Sequence, residues 1–248
     1  MEMKQLIPKT IHYCWLSGDK KPRLIQQCID SWSKVMPDYT IKCWDSNTFD
    51  CSSVPFVREA FSVKQYAAAS DYIRLYALYT EGGIYLDSDV LVKKPFDIYL
   101  TNEFFCGTEA FFCDNEPHYR MEAAIMGATK QHLFLKECMS YYECNSFIKP
   151  NGDYDNQRVV MPTVISKYAE KYGYKYLNEF QKLHKIVIYP TSFFTNTLIP
   201  NTTNPHSIYA IHQNAGSWID YSNRGWLFRI CKKYDLMQFY HIIETIKK

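Results

Sequence analysis

The sequence predicts a mixed α/β domain whose first half is built on a strand–helix–strand unit. Three observations carry this. Thr10 to Leu16 and Tyr39 to Trp44 are short runs of branched and aromatic residues, the composition of strands. Between them, Pro22 to Val35 places Leu24, Ile25, Cys28, Ile29, Trp32 and Val35 at helical spacing, with Pro at the start. Units of this kind build parallel sheets, because a parallel pair needs a long crossover.

The remaining elements follow in order. Ser17-Gly18-Asp19 reads as a turn, and Met36-Pro37-Asp38 stops the first helix. Ser62 to Thr80 reads as one long helix, closely packed at Ala67-Ala68-Ala69 and ended by Gly82-Gly83. The strand Ile84 to Leu86 follows at once. Phe104 to Gly107, Ala123 to Met126, Ile186 to Tyr189 and Ile208 to His212 are further strands. His132 to Tyr142 and Val160 to Tyr172 are further helices. The last segment, about 225–247, reads as a basic amphipathic helix. No linker, repeat or low-complexity stretch divides the 248 residues, so one domain over 1–248 is expected.

Composition narrows the function classes. Hydrophobic content of 47% is enough for a core, and 21 Tyr with 15 Phe supply packing surface that also stacks on bases and sugars. A net charge of +2 gives no argument for nucleic acid as a partner. Nine Cys lack any CxxC pair or Cys/His metal spacing. With no signal peptide read at the start, reduced thiols in a cytoplasmic protein are expected. No apolar run approaches the roughly 20 residues that span a bilayer.

The chemistry centres on Gly82-Gly83-Ile84-Tyr85-Leu86-Asp87-Ser88-Asp89. An apolar strand ends in two carboxylates one residue apart. If the extended backbone continues through Ser88, Asp87 and Asp89 point to the same side. Such a pair can hold a hard divalent cation, which in turn holds a diphosphate. With 14 Asp in the chain, about one such match is expected by chance. Asp153-Tyr154-Asp155 is a second one, but it lies in a polar run with no strand before it and reads as a turn. Ligands of mixed sheets sit beyond the carboxyl ends of strands, which favours Asp87 and Asp89.

Asp71 and Arg74 share a face of the preceding helix at i, i+3. They read either as a helix ion pair or as a pair in which Asp accepts from sugar hydroxyls and Arg donates to hydroxyl or phosphate. Their apolar surroundings and the strand that follows favour the second reading. Trp15, at the end of the first strand, reads as a core residue or as a platform for a base. His12 reads as a satisfied core histidine. Near the other end, His212 closes a strand and can supply a neutral imidazole as a third metal ligand. Gly216-Ser217-Trp218 then reads as a surface turn, or as one that presents Ser217 to metal or phosphate and Trp218 over a nucleotide.

These strings together carry a family resemblance. Ala68-Ala69-Ser70-Asp71-Tyr72-Ile73-Arg74 with Gly82 through Asp89 resembles the sugar transferases that carry a DXD motif, glycosyltransferase family 32, related to initiating α-1,6-mannosyltransferases. It is also similar, at a distance, to the catalytic domains of large clostridial glucosylating toxins. Ile7 to Trp15 matches the family's opening motif, Pro37-Asp38-Tyr39 with Trp44-Asp45 the second strand region, and His212 with Gly216-Ser217-Trp218 the closing motif. Residues 108 to 185 match only loosely.

The resemblance implies a GT-A fold, a Rossmann-like mixed sheet flanked by helices. It implies a nucleotide-sugar donor, a divalent metal (manganese first, magnesium second) and retention of anomeric configuration. By position, Trp15 stacks on the base, and Asp71 and Arg74 contact ribose or donor sugar. Asp87 is shared between donor and metal, and Asp89 binds metal directly. His212 or Ser217 completes the metal and phosphate shell, with Trp218 in a lid. Asp155, Asn156 and Gln157 are acceptor candidates. Asp87, Asp89 and Arg74 are the catalytic group.

The expected function is transfer of a hexose from a nucleoside diphosphate sugar, a UDP-sugar first, to a saccharide or lipid-linked acceptor in capsular polysaccharide or oligosaccharide assembly. Arg224 to Lys248 carries six Lys/Arg interleaved with aromatic residues, so it reads as a packing helix or as a peripheral membrane contact. Rival readings are a nucleotidyltransferase, a toxin-like protein glycosyltransferase and an inactive carbohydrate-binding protein.

Overall fold

The computed structural model describes residues 4–113, 116–152, 160–196 and 207–215. Chain contacts divide the molecule into two compact units, Met1–Asn214 and Ala215–Lys248. The helix expected at about 225–247 lies outside the described residues.

The first unit contains two sheets. The larger has seven strands in the order β2-β1-β3-β6-β5-β8-β7. They are β1 (Thr10–Cys14), β2 (Thr40–Trp44), β3 (Gly83–Leu86), β5 (Phe104–Cys113), β6 (Glu116–Ala128), β7 (Gln181–Lys182) and β8 (Ile186–Tyr189). β1 runs parallel to both β2 and β3, whereas β6 is antiparallel to β3 and to β5. The sheet is therefore mixed, as expected. The smaller sheet pairs β4 (Val90–Val92) with β10 (Ala210–His212) antiparallel, and β10 with β9 (Phe194–Asn196) parallel.

Strand alternation splits the core into two layers. Tyr85, Phe104, Cys106, Ile186 and Ile188 face one side, packed against helices α2 (Pro55–Ser62), α3 (Tyr66–Glu81), α4 (Leu133–Glu143) and α5 (Met161–Ala169). Ile84, Leu86, Phe105, Ile125 and Val187 face the other, packed against Trp32 of α1 (Arg23–Val35), the small sheet, Phe96 and Tyr99. Trp32 also donates its indole N–H to Val90 O at 2.7 Å, and Ser31 Oγ accepts from Val92 N–H at 3.0 Å. Helix α1 thus fixes β4 as well as covering the sheet.

Three expectations change. The helix expected from Ser62 to Thr80 is α3, Tyr66–Glu81, and a separate helix that was not expected, α2, precedes it over Pro55–Ser62. Lys64 takes a left-handed conformation, φ 59°, which closes α2, and α3 starts at Tyr66. The short strands expected at 104–107 and 123–126 are parts of much longer strands, and their pairing shifts at a bulge between Cys106 and Thr108. Charged residues such as Glu109, Glu116 and Arg120 hide the extension from a reading that seeks apolar runs. Val160 to Tyr172 is α-helical only to Ala169 and ends in a 3-10 turn.

Gly83 lets β3 pair closely with β1. Its φ is 113°, and a Cβ there would lie 2.5 Å from Thr10 O. Beside it, His12 is fully buried. Its Nε2–H donates to Gly82 O at 2.8 Å, and its Nδ1 accepts from the Trp44 indole N–H at 3.1 Å. His12 is therefore the satisfied core histidine that its surroundings in sequence predict.

Candidate active site

Because β1 and β3 are parallel, Trp15 and Asp87 leave the large sheet at the same edge. The chain does not stay extended after Leu86. Val90 N–H donates to Asp87 O at 2.9 Å, so Asp87-Ser88-Asp89-Val90 is a tight turn that carries the chain from β3 in the large sheet to β4 in the small one. The two carboxylates approach each other through this turn and not through the strand alternation expected from an extended Asp87-Ser88-Asp89.

Two neighbours pin the turn. Asp87 N–H donates to Ala124 O of β6 at 2.8 Å, and Gln213 N–H, just beyond β10, donates to Asp89 O at 3.0 Å. His212 sits opposite Val90 in the β10–β4 register. One ligand atom from each of Asp87, Asp89 and His212 falls within 4.8 Å of the others. Two carboxylate oxygens and one imidazole nitrogen at such spacing form a donor set that suits a divalent cation.

Arg74 is the electrostatic centre of the helix side. Its guanidinium lies 3.3 Å from Asp71 and 3.2 Å from Asp87. It also donates to Ala123 O at 2.9 Å and to Ser70 O and Oγ at 3.4 and 3.3 Å. The ring of Tyr85 lies 4.7 Å beneath it, and Tyr85 Oη donates to Asp87 at 3.0 Å. Asp71 and Arg74 are both buried. Burial works against the Arg74 charge, but Asp87, Tyr85 and Asp71 outweigh it and hold its pKa above the usual range. Burial pushes the Asp87 carboxyl up, opposed by Arg74 and His212.

His212 stands between two carboxylates, with Nε2 3.4 Å from Asp89 and Nδ1 3.6 Å from Glu122. Burial disfavours the charged ring, but the attraction of Asp89 and Glu122 outweighs it, so its pKa lies well above the ordinary value. Glu122 shows the converse. Burial raises its pKa, but His212 outweighs this and leaves it lowered.

Trp15 is half-buried, donates its indole N–H to Asp19 O at 2.8 Å, and lies 5.4 Å beneath the Lys21 ammonium. Ser217, Trp218, Asp155, Asn156 and Gln157 lie outside the described residues. Glu122 and Tyr85 join the site here without having been singled out from the sequence. Glu122 did carry a signal, as a single charge in the otherwise apolar run Met121 to Met126.

Residues 22–105 match the model of a family described as "Glycosyltransferase sugar-binding region containing DXD motif". That span holds Asp71, Arg74, Asp87 and Asp89 but not Trp15 or His212. Among curated proteins, the chain is 30% identical over 154 residues to mannosyl phosphorylinositol ceramide synthase CSH1 of Saccharomyces cerevisiae, across 58% of this chain but only 38% of that protein. It is 23% identical over 226 residues to the uncharacterized glycosyltransferase L373 of Acanthamoeba polyphaga mimivirus, across 86% of this chain and 84% of that one. Among solved structures, PaToxG glycosyltransferase superposes with a TM-score of 0.50 at 17% identity, over 66% of this chain and 69% of that one. Residues 22–105 are therefore similar to the DXD-containing sugar-binding region of glycosyltransferases, and the chain has a GT-A fold.

Proposed function

We propose that this protein is a retaining, metal-dependent glycosyltransferase. It moves a hexose from a nucleoside diphosphate sugar, preferably a UDP-sugar, to a saccharide or lipid-linked saccharide acceptor. The observation that carries this reading is the convergence of Asp87, Asp89 and His212 at the carboxyl edge of the sheet. The matched sugar-binding region supports it from sequence.

Asp89 and His212, with Asp87 shared, are the residues that would hold manganese or magnesium. A divalent cation held there supplies positive charge against the charge that builds on a departing diphosphate. The chain's own residues do the rest. Arg74 fixes Asp71 and Asp87 in place, leaving Asp71 to accept from a sugar or ribose hydroxyl. Trp15 offers a ring face for the base. Ser217 and Trp218 are assigned to phosphate and lid by resemblance, and Asp155, Asn156 and Gln157 to the acceptor.

Retention is assigned to same-face attack. The acceptor oxygen bonds to the anomeric carbon as the bond from that carbon to the phosphate oxygen breaks, and the departing phosphate oxygen takes the acceptor proton. Double displacement would need a free carboxylate beside the anomeric carbon. Asp71 and Asp87 are both committed to Arg74, which supports the single-step route.

The name of the yeast relative, a mannosyl phosphorylinositol ceramide synthase, supports a lipid-bearing acceptor. Capsular polysaccharide or lipid-linked oligosaccharide assembly is the matching role. We assign the protein to the cytoplasm, with peripheral contact at the inner membrane face through the basic segment 225–247. The eight described cysteines are free thiols, as in a reducing compartment. No described helix is long and apolar enough to cross a membrane. Donor hydrolysis across a panel of nucleotide sugars with manganese tests the reading. One donor turned over, and turnover lost in excess chelator, is expected. Binding of saccharide with no donor turned over would move the assignment to an inactive carbohydrate-binding protein.

A further inference from the structure

We infer that Glu122 is a positioning residue that fixes the tautomer and orientation of His212 toward the Asp87–Asp89 pair. The inference rests on the metal-dependent reading above and names a residue that neither the motif nor the family match assigns.

Glu122 lies on β6 and is 3% exposed, in a strand whose neighbours Met121, Ala123, Ala124, Ile125 and Met126 are all buried and apolar. A carboxylate in such surroundings is costly unless it is paired and hydrogen-bonded. Its Oε1 is held by Ala124 N–H at 2.9 Å. The same oxygen faces His212 Nδ1 at 3.6 Å. The nearest arginine on its strand, Arg120, is engaged by Glu109 at 2.9 Å. Among the described residues this leaves His212 as the ion-pair partner of Glu122.

The two ring nitrogens of His212 face different groups. Nε2 is directed at Asp89, 3.4 Å away, and Nδ1 at Glu122. To ligate a cation the ring must give up one of its two protons; the neutral imidazole then presents a lone pair on only one nitrogen, and the other carries the proton. A carboxylate beside Nδ1 keeps the proton there and leaves the Nε2 lone pair for a cation. It also favours the ring orientation that turns Nδ1 toward Glu122. Ligating histidines are oriented in this way by an outer carboxylate, and loss of such a group weakens metal affinity about 10- to 100-fold. The hold on Glu122 is local, through Ala124 N–H, and Ala124 O in turn holds Asp87 N–H. One short piece of β6 therefore sets the position of both the Asp87 backbone and the His212 ring.

The test is manganese affinity of the full chain without nucleotide, read from the electron paramagnetic resonance signal of free ion. Wild type is compared with Asp89→Ala, His212→Ala, Glu122→Gln and the Glu122→Gln/His212→Ala double variant, each checked by circular dichroism and thermal melting. Glu122→Gln keeps an oxygen for Ala124 N–H but removes the charge. It should weaken binding about 10- to 100-fold. In the His212→Ala background the same change should add less than about twofold, because the two act as one unit. If Glu122→Gln fails to fold, Glu122→Asp, which withdraws the carboxylate from the ring, should show the same dependence on His212.

Unchanged affinity in a folded Glu122 variant, with Asp89→Ala and His212→Ala still impaired, would overturn the inference and leave the metal site standing. Equal losses in both backgrounds would also overturn it, since Glu122 would then act without His212. Unchanged affinity in Asp89→Ala and His212→Ala would remove the metal reading itself, and this inference with it.

Discussion

Arg74 and Asp87, one on α3 and the other just past the end of β3, lie 3.2 Å apart with Asp71 3.3 Å from the same guanidinium. This one side chain ties the helix before the DXD turn to the turn itself. Its guanidinium also donates to Ser70 and to the Ala123 carbonyl on β6. Its main work is then to hold two carboxylates in register.

Arg74→Lys keeps a positive charge but loses the planar fork of donors. A lysine cannot satisfy Ser70, Ala123, Asp71 and Asp87 together, and the buried Asp71 and half-buried Asp87 carboxylates are left partly unpaired. The expected loss of stability is on the order of 3 kcal/mol, read by urea unfolding. Donor turnover should fall at least about 100-fold, equivalent to about 2.7 kcal/mol. Stability and turnover both within about twofold of wild type would mean that the fork geometry does not matter.

Gly83→Ala tests the seam between β1 and β3. The backbone there has φ 113°, and the new Cβ would lie 2.5 Å from Thr10 O. Backbone strain and overpacking each cost about 1–3 kcal/mol, so a marked drop in melting temperature is expected. The turn at Asp87 follows β3 directly, so manganese affinity should fall as well. A variant as stable as wild type would show that β3 can shift without cost.

His12 gives a pH dependence with a definite sign. Burial holds its pKa below the ordinary imidazole value near 6.5, despite the Gly82 carbonyl. Below that value the unfolded chain takes up a proton that the folded chain refuses. Stability from this group is therefore complete above about pH 6.5 and is lost as pH falls from there toward the depressed folded value. The slope is at most about 1.4 kcal/mol per pH unit. Unfolding measured from pH 7.5 to 5 should show a steeper acid loss in wild type than in His12→Gln. Parallel curves would contradict the neutral, doubly hydrogen-bonded ring.

Much of this fold was legible because its strands are short apolar runs between clear stops. Thr10–Cys14, Gly83–Leu86 and Ile186–Tyr189 stand almost where the sequence puts them. The break between α2 and α3 was not legible, because the left-handed residue is Lys64, where a glycine would have marked it. The long β5–β6 pair was hidden by its charged outer half. At the site, Asp71, Arg74, Asp87, Asp89 and His212 were all singled out from residue type and position. Their mode of approach was not. The turn after β3 and the pairing of β10 with β4 are long-range events that no local pattern announces. Glu122 was missed for the same reason, since its meaning depends on a histidine brought in by another sheet.

The central claim is that Asp89 holds a cation on which sugar transfer depends. The most direct measurement is donor turnover by wild type and Asp89→Ala, with manganese and with excess chelator, for the nucleotide sugar that wild type accepts. Turnover in the variant should fall at least about 1,000-fold, equivalent to about 4 kcal/mol, with folding unchanged, and chelator should take wild type to the same level. Undiminished turnover in a folded Asp89→Ala variant, or in wild type stripped of metal, would contradict the account.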